Sequence, residues 1–157
     1  MLNETNFITE SPMRAVIQRV DRASVTIDHL QVSSIHKGIL ILLGVARNDT
    51  ETDSDYILEK ALNLRIFEDE NGKMNLSLHE VKGSILSISQ FTLYANLSKG
   101  NRPSFTESME PNQARIMYHQ FNELLKQEGF PILEGLFGAH MDLSFTNSGP
   151  VTIIIEF

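Results

Sequence analysis

The chain has 157 residues, with 20 acidic against 13 basic side chains, a formal net charge of -7 and no cysteine. That length suits one domain with a sizeable core, and 41% hydrophobic and 21% charged residues are the proportions of an ordinary globule. The lack of cysteine excludes disulfides, thiolate metal sites and cysteine nucleophiles, and the acidic balance argues against a broad grip on nucleic-acid phosphates.

The opening "MLNETNFITESP" is polar and acidic, without the basic and apolar regions of a secretory signal. No run approaches the roughly 20 apolar residues of a membrane span. The expectation is a disordered extension over residues 1–12, one domain over 13–157, and a cytoplasmic location. "RAVIQRV" at residues 14–20 and "ASVTID" at 23–28 read as two strands, and "QVSSI" and the apolar run "GILILLGVA" as two more. The period then changes. Thr50 with Asp53 resembles a capping box, and Ile57, Ala61 and Leu64 recur at helical spacing, so a helix is expected over residues 50–66. "DENG" is a turn, residues 84–94 a strand, and "ANLSKGNRPS" a loop. Pro111 opens a second helix with Ala114, Met117, Phe121 and Leu124 on its apolar stripe, ended by Gly129 and Pro131. Two alternating strands follow, carrying Met141, Leu143 and Phe145, then Val151, Ile153, Ile155 and Phe157. This order predicts a mixed α/β fold whose mostly antiparallel, barrel-like sheet has helices packed outside.

The usual catalytic signatures are missing. His29, His36, His79, His119 and His140 have no metal-type spacing, and HExxH, Walker A, GxGxxG and GxSxG are absent. Two stretches stand out. In "SILSISQFTLY" a strand period would put Ile88, Gln90, Thr92 and Tyr94 on one face and Ser89, Phe91 and Leu93 on the other. Gln90 and Thr92 could then read a small polar ligand, or the hydroxyls could simply bond locally in a strand. In "FTNSGPVTIIIEF" the Asn-Ser-Gly-Pro run reads as a hairpin turn. Equally, a rigid Gly-Pro with free carbonyls could contact a ligand by main chain alone.

Together "MRAVIQRV", "SQFTLY", "KGNRPSF", "GLFGAHM" and "NSGPVTI" resemble, in order and spacing, the D-aminoacyl-tRNA deacylases. The resemblance covers residues 13–157. It implies a cytoplasmic homodimer, without cofactor, that hydrolyses the ester between a D-amino acid, or mischarged glycine, and the 3′-terminal adenosine of tRNA. It implies that Ser89, Gln90, Phe91 and Thr92 line the pocket for that ester, and that Phe137, Gly138 and Met141 help form the adenosine pocket. It implies that Gly149 and Pro150 are the family's Gly-cis-Pro pair, inserted into the partner subunit's site, and that Arg19 orients them. The family more often has aspartate where Ser148 stands. Main-chain N–H groups near Phe91 and Thr92 could stabilise an oxyanion, with the ribose 2′-OH assisting. Thr92 as a covalent nucleophile is the rival, though no base stands near it in sequence. Other readings are a threonine esterase on small substrates and a non-catalytic RNA 3′-end binder. For a tRNA backbone contact, Lys99 and Arg102 join Arg14, Arg19 and Arg22 as candidates.

Overall fold

A computed structural model describes residues 11–157. The extension expected over residues 1–12 lies outside them, except for Ser11 and Pro12. Strands β1 (Arg14–Ile27), β2 (Leu30–Ile35) and β3 (Gly38–Gly44) lead into helix α1 (Glu51–Asn63). A small hairpin, β4 (Phe67–Glu68) and β5 (Met74–Leu76), comes next, then strand β6 (Ser84–Ser89) and a single 3₁₀ turn (Phe91–Tyr94). Helix α2 (Pro111–Gln127), β7 (Ile132–Glu134) and β8 (Asp142–Glu156) complete the chain.

The main sheet runs β2-β1-β3-β6-β7, and β8 pairs along β1. The β1 pairings with β2, β3 and β8 are antiparallel, whereas β3–β6 and β6–β7 are parallel. The two ends curl toward each other, and the Ser33 hydroxyl on β2 donates to the Glu134 carbonyl on β7 at 2.6 Å. This is the α/β, barrel-like and mostly antiparallel sheet that the sequence predicts, with the helices outside it.

Alternation along β3 divides the core. Ile39, Ile41 and Leu43 face the helices and join Ile57, Ala61, Tyr118, Phe121 and Leu125. Leu40 points the other way and joins Val20, Val25, Leu86 and Ile88 inside the curled sheet. Helix α1 starts as its capping box requires, with the Thr50 N–H donating to Asp53 Oδ2 at 2.7 Å. Helix α2 starts at Pro111 behind Glu110, whose carboxylate accepts from the Asn112 and Gln113 N–H groups. Its buried stripe is Ala114, Tyr118, Phe121, Asn122 and Leu125, with Met117 and Leu124 at its edge. The stripe is thus rotated from the expected one, because Tyr118 and Asn122 carry polar atoms into the core.

Two strand expectations fail for one reason. The two strands expected at residues 14–20 and 23–28 are one, Arg14–Ile27, whose exposed Asp21 and Arg22 mark a phase slip and not a turn. The supposed hairpin at "TNSGP" is likewise no hairpin. β8 runs straight through it, with Asn147 opposite Val20 and Thr152 opposite Gln18. Five steps on β8 face two on β1, so the intervening residues are thrown out as a bulge. Periodicity breaks in the same way at a bulge and at a turn, and only the shared partner strand tells them apart.

Candidate active site

Strand β6 ends where its last ladder bond is made, from the Gln90 N–H to the Leu43 carbonyl at 2.8 Å. The chain then winds into the 3₁₀ turn, so the faces expected of a strand through residue 94 do not exist. Gln90 and Thr92 still meet, because the Gln90 side-chain amide donates to the Thr92 hydroxyl. The turn is fastened from behind. The Tyr94 hydroxyl lies 2.8 and 2.9 Å from the Pro12 and Gly44 carbonyls, sharing one proton between them. Arg14 donates to the Leu93 carbonyl at 2.7 Å, ion-pairs with Glu156 and lies 5.5 Å from the Tyr94 ring centre. Burial pushes the Tyr94 hydroxyl above its ordinary pKa, which keeps it a donor.

In front of the turn lies a cleft of about 590 Å³. Ser89, Gln90, Phe91 and Thr92 line one wall, and Phe137, Gly138 and Met141 line another. Seven of the expected site residues therefore come together although almost 50 positions separate the two groups. Phe91 is exposed and rests edge-on against Phe105, with ring centres 4.9 Å apart. The second wall is set by close packing at Gly135, where a Cβ would stand 2.6 Å from the Met141 sulfur and 2.9 Å from Ile88 Cδ1. Among the described residues, no hydrogen bond engages the Phe91 or Thr92 N–H, as expected at the open start of a helical turn. The cleft thus offers main-chain donors beside a hydroxyl that has an amide, and no base, as its hydrogen-bond partner.

Arg19, Gly149 and Pro150 do not line this cleft. They form a second structure at the β8 bulge. Arg19 is buried and donates from Nε to the Ser148 carbonyl at 2.9 Å and from Nη1 to the Ile66 carbonyl at 2.7 Å. Asn147 closes the base of the bulge. Its amide donates to Gln18 and to the Thr152 hydroxyl, and its carbonyl oxygen accepts from the Val151 N–H at 2.7 Å. Gly149 sits at φ +130°, and the Gly149–Pro150 peptide is cis. Both residues are exposed. Of the cations offered for a tRNA contact, Arg14 and Arg19 are spent on these internal bonds.

Sequence reasoning missed the parts played by Tyr94, Phe105 and Gly135, and offered Arg14 as a tRNA contact where it fastens the turn. Phe105 closes the motif "KGNRPSF", which is the signal that could have found it. The bonds of Arg14 and Tyr94 span 79 and 82 positions, and no local pattern reports them. No cluster of three or more histidine, aspartate or glutamate residues suited to a metal occurs among the described residues.

Comparison with known proteins identifies the family. The family model described as D-Tyr-tRNA(Tyr) deacylase matches residues 16–156. The chain is 49% identical over 144 residues to a D-aminoacyl-tRNA deacylase of Bacillus velezensis, covering 92% of this chain and 98% of that one. It is 51% identical to one of Aquifex aeolicus, covering 92% and 97%. A solved structure described as a c-Myc DNA unwinding element binding protein superposes with a TM-score of 0.88 at 44% identity, over 92% of this chain and 99% of that chain. A probable eukaryotic D-amino acid tRNA deacylase superposes with a TM-score of 0.75 at 16% identity, over 93% and 100%, which shows a shared fold. With a family match over nearly its whole length and relatives at about half identity, the chain belongs to the D-Tyr-tRNA(Tyr) deacylase family.

Proposed function

We propose that the protein hydrolyses the ester of D-aminoacyl-tRNA, releasing the D-amino acid and tRNA as proofreading in translation. The observation that carries this reading is the cleft itself, where the unpaired Phe91 and Thr92 N–H groups sit between an apolar wall and the Gln90–Thr92 pair. The terminal adenosine lies against Phe137, Gly138 and Met141, and the ester carbonyl points at the two N–H groups. Water attacks the carbonyl carbon, negative charge collects on the oxygen facing those donors, and the ester C–O bond then breaks. The proton ends on the ribose 3′-oxygen, relayed by the vicinal 2′-OH. Thr92 stays a bystander, because its partner is the Gln90 amide, which cannot accept a proton as a base would.

Selection by hand belongs to the bulge of a second copy. Among the described residues β8 pairs with β1 alone, and Phe145 and Ile154 on it and Phe157 just after it are exposed. An open edge with apolar side chains is a surface for another chain. In the homodimer Gly149 and Pro150 of one protomer enter the cleft of its partner, and Arg19 holds them through Ser148. Their carbonyls accept from the amine of a D-aminoacyl group, while an L-side chain would strike the Gly-Pro wall. Glycine has no side chain to be refused, so mischarged glycyl-tRNA is accepted as well.

The test is release of labelled amino acid from D-Tyr-tRNA, L-Tyr-tRNA and Gly-tRNA by the wild-type protein. Release from the first and third but not the second is expected, and equal release from both tyrosyl esters contradicts the reading. The DNA-binding name of one structural neighbour suggests nothing similar here. The chain carries -7 charges, and its Arg14 and Arg19 are turned inward.

A further inference from the structure

Lys99 and Arg102 are the loop cations expected at phosphate, yet a different cation stacks on a wall of the cleft. Arg115 is an exposed residue in the first turns of α2, one position after Ala114, which lines the cleft. Its guanidinium carbon lies 5.3 Å from the ring centre of Phe137, on the cleft's second wall. A cation over an aromatic face is held in place without using its N–H donors. Among the described residues, Arg115 has no carboxylate within 4.0 Å and no hydrogen-bond acceptor. The Glu110 carboxylate feels the Arg115 charge but is occupied first by the Asn112 and Gln113 N–H groups.

The surrounding charge points the same way. Among the described residues no aspartate or glutamate lines the cleft, although acids outnumber bases 20 to 13 in the chain. His140, which lines the cleft, lies 3.5 Å from Asp142. Arg14 and Arg19 are engaged elsewhere, and Arg47 donates to the Thr106 carbonyl. One oriented guanidinium with free donors therefore packs on a cleft wall that, among the described residues, carries no acid. A terminal nucleoside that fills the cleft against Phe137 carries a 5′-phosphate that must leave the cleft, and Arg115 is a cation stacked on that wall.

We propose that Arg115, stacked on Phe137, binds the backbone phosphate that joins the terminal adenosine to the rest of the tRNA. This rests on the tRNA-ester reading above and adds the group that tells a nucleic-acid end from a free nucleoside ester. Arg115 does not touch the reacting atoms and is a binding residue only. A guanidinium fixed in plane suits two phosphate oxygens at once, which an ammonium does not.

The experiment compares wild type, Arg115→Gln and Arg115→Lys on two substrates: D-Tyr-tRNA, and 3′-O-D-tyrosyl-adenosine, which has no phosphate. Melting curves check that each variant is folded. With D-Tyr-tRNA at low salt, Arg115→Gln raises KM about fivefold with kcat unchanged, as an exposed charge contact would. The salt dependence of its kcat/KM is shallower by about one phosphate contact. With the adenosine ester the two proteins are equal, and Arg115→Lys falls between them on tRNA. Equal loss on both substrates would assign Arg115 to propping Phe137 and overturn the proposal, as would no loss on either. Wild type inactive on both substrates would overturn the ester reading itself.

Discussion

Removing Arg19 tests how the bulge is held. Its guanidinium side chain is 8% exposed and makes two charge-assisted bonds to main-chain carbonyls, at 2.9 Å to Ser148 and 2.7 Å to Ile66. Such bonds are worth about 1.5–3 kcal/mol each. Glu68 stands 4.0 Å away and is mostly exposed, so its ion pair adds less than about 1 kcal/mol. Arg19→Ala also opens space for water, which recovers part of the loss at the carbonyls. The expected net destabilisation is about 3 kcal/mol, or roughly 6–12 °C in melting temperature for a chain of this size. Arg19→Lys puts one ammonium near two divergent carbonyls and keeps about half of that. Urea titration at fixed protein concentration gives the stability, and D-Tyr-tRNA turnover gives the function. We expect both to fall in the order wild type, Lys, Ala. An alanine variant within about 0.5 kcal/mol of wild type would refute the bonding account. A destabilised variant with full turnover and undiminished rejection of L-Tyr-tRNA would separate the bulge from the reaction.

Gly149→Ala places a Cβ 2.8 Å from Val151 Cγ2 and 2.9 Å from Arg19 Nη2, at φ +130°. A loss of about 1–3 kcal/mol in thermal melts, with reduced D-Tyr-tRNA turnover, is expected. Phe121→Ala empties a fully buried site between α2 and the sheet and should cost about 3–5 kcal/mol in urea titration. Burial raises the Tyr94 hydroxyl above its ordinary value of 10.0. The stability this represents is complete below about pH 10 and is lost as pH rises beyond it, since the unfolded tyrosine ionises first. Tyr94→Phe is therefore less stable at neutral pH by about 1 kcal/mol, and the gap to wild type narrows above pH 10 in melts across pH.

The helices and most strand positions were legible because each follows a local rule. The Thr50–Asp53 box and Pro111 mark helix starts in sequence and in space. The wall residues near Phe91 and Phe137 were legible through motif resemblance, and the cleft brings them together. Periodicity did not report that β6 stops at Ser89. A run such as "SQFTLY" fits a strand as well as a 3₁₀ turn, and the choice is made by distant anchors at Gly44 and Pro12. The bulge in β8 was hidden for the same reason, because its continuity depends on β1, more than a hundred residues earlier. Arg115 had no motif to announce it, and its role follows only from the ring it lies on.

The central claim is that main-chain donors and the substrate's own hydroxyl carry out the hydrolysis, with no side-chain nucleophile. The most direct test is single-turnover release of D-tyrosine from D-Tyr-tRNA by Thr92→Ala beside wild type, with L-Tyr-tRNA as the control. Thr92 is exposed and its hydroxyl bonds to Gln90, so the variant should fold normally. The account predicts a rate within about tenfold of wild type, in line with the loss of one hydrogen bond of about 1 kcal/mol, and continued rejection of the L-ester. A folded variant that still binds tRNA but releases no D-tyrosine would contradict it and make Thr92 the nucleophile.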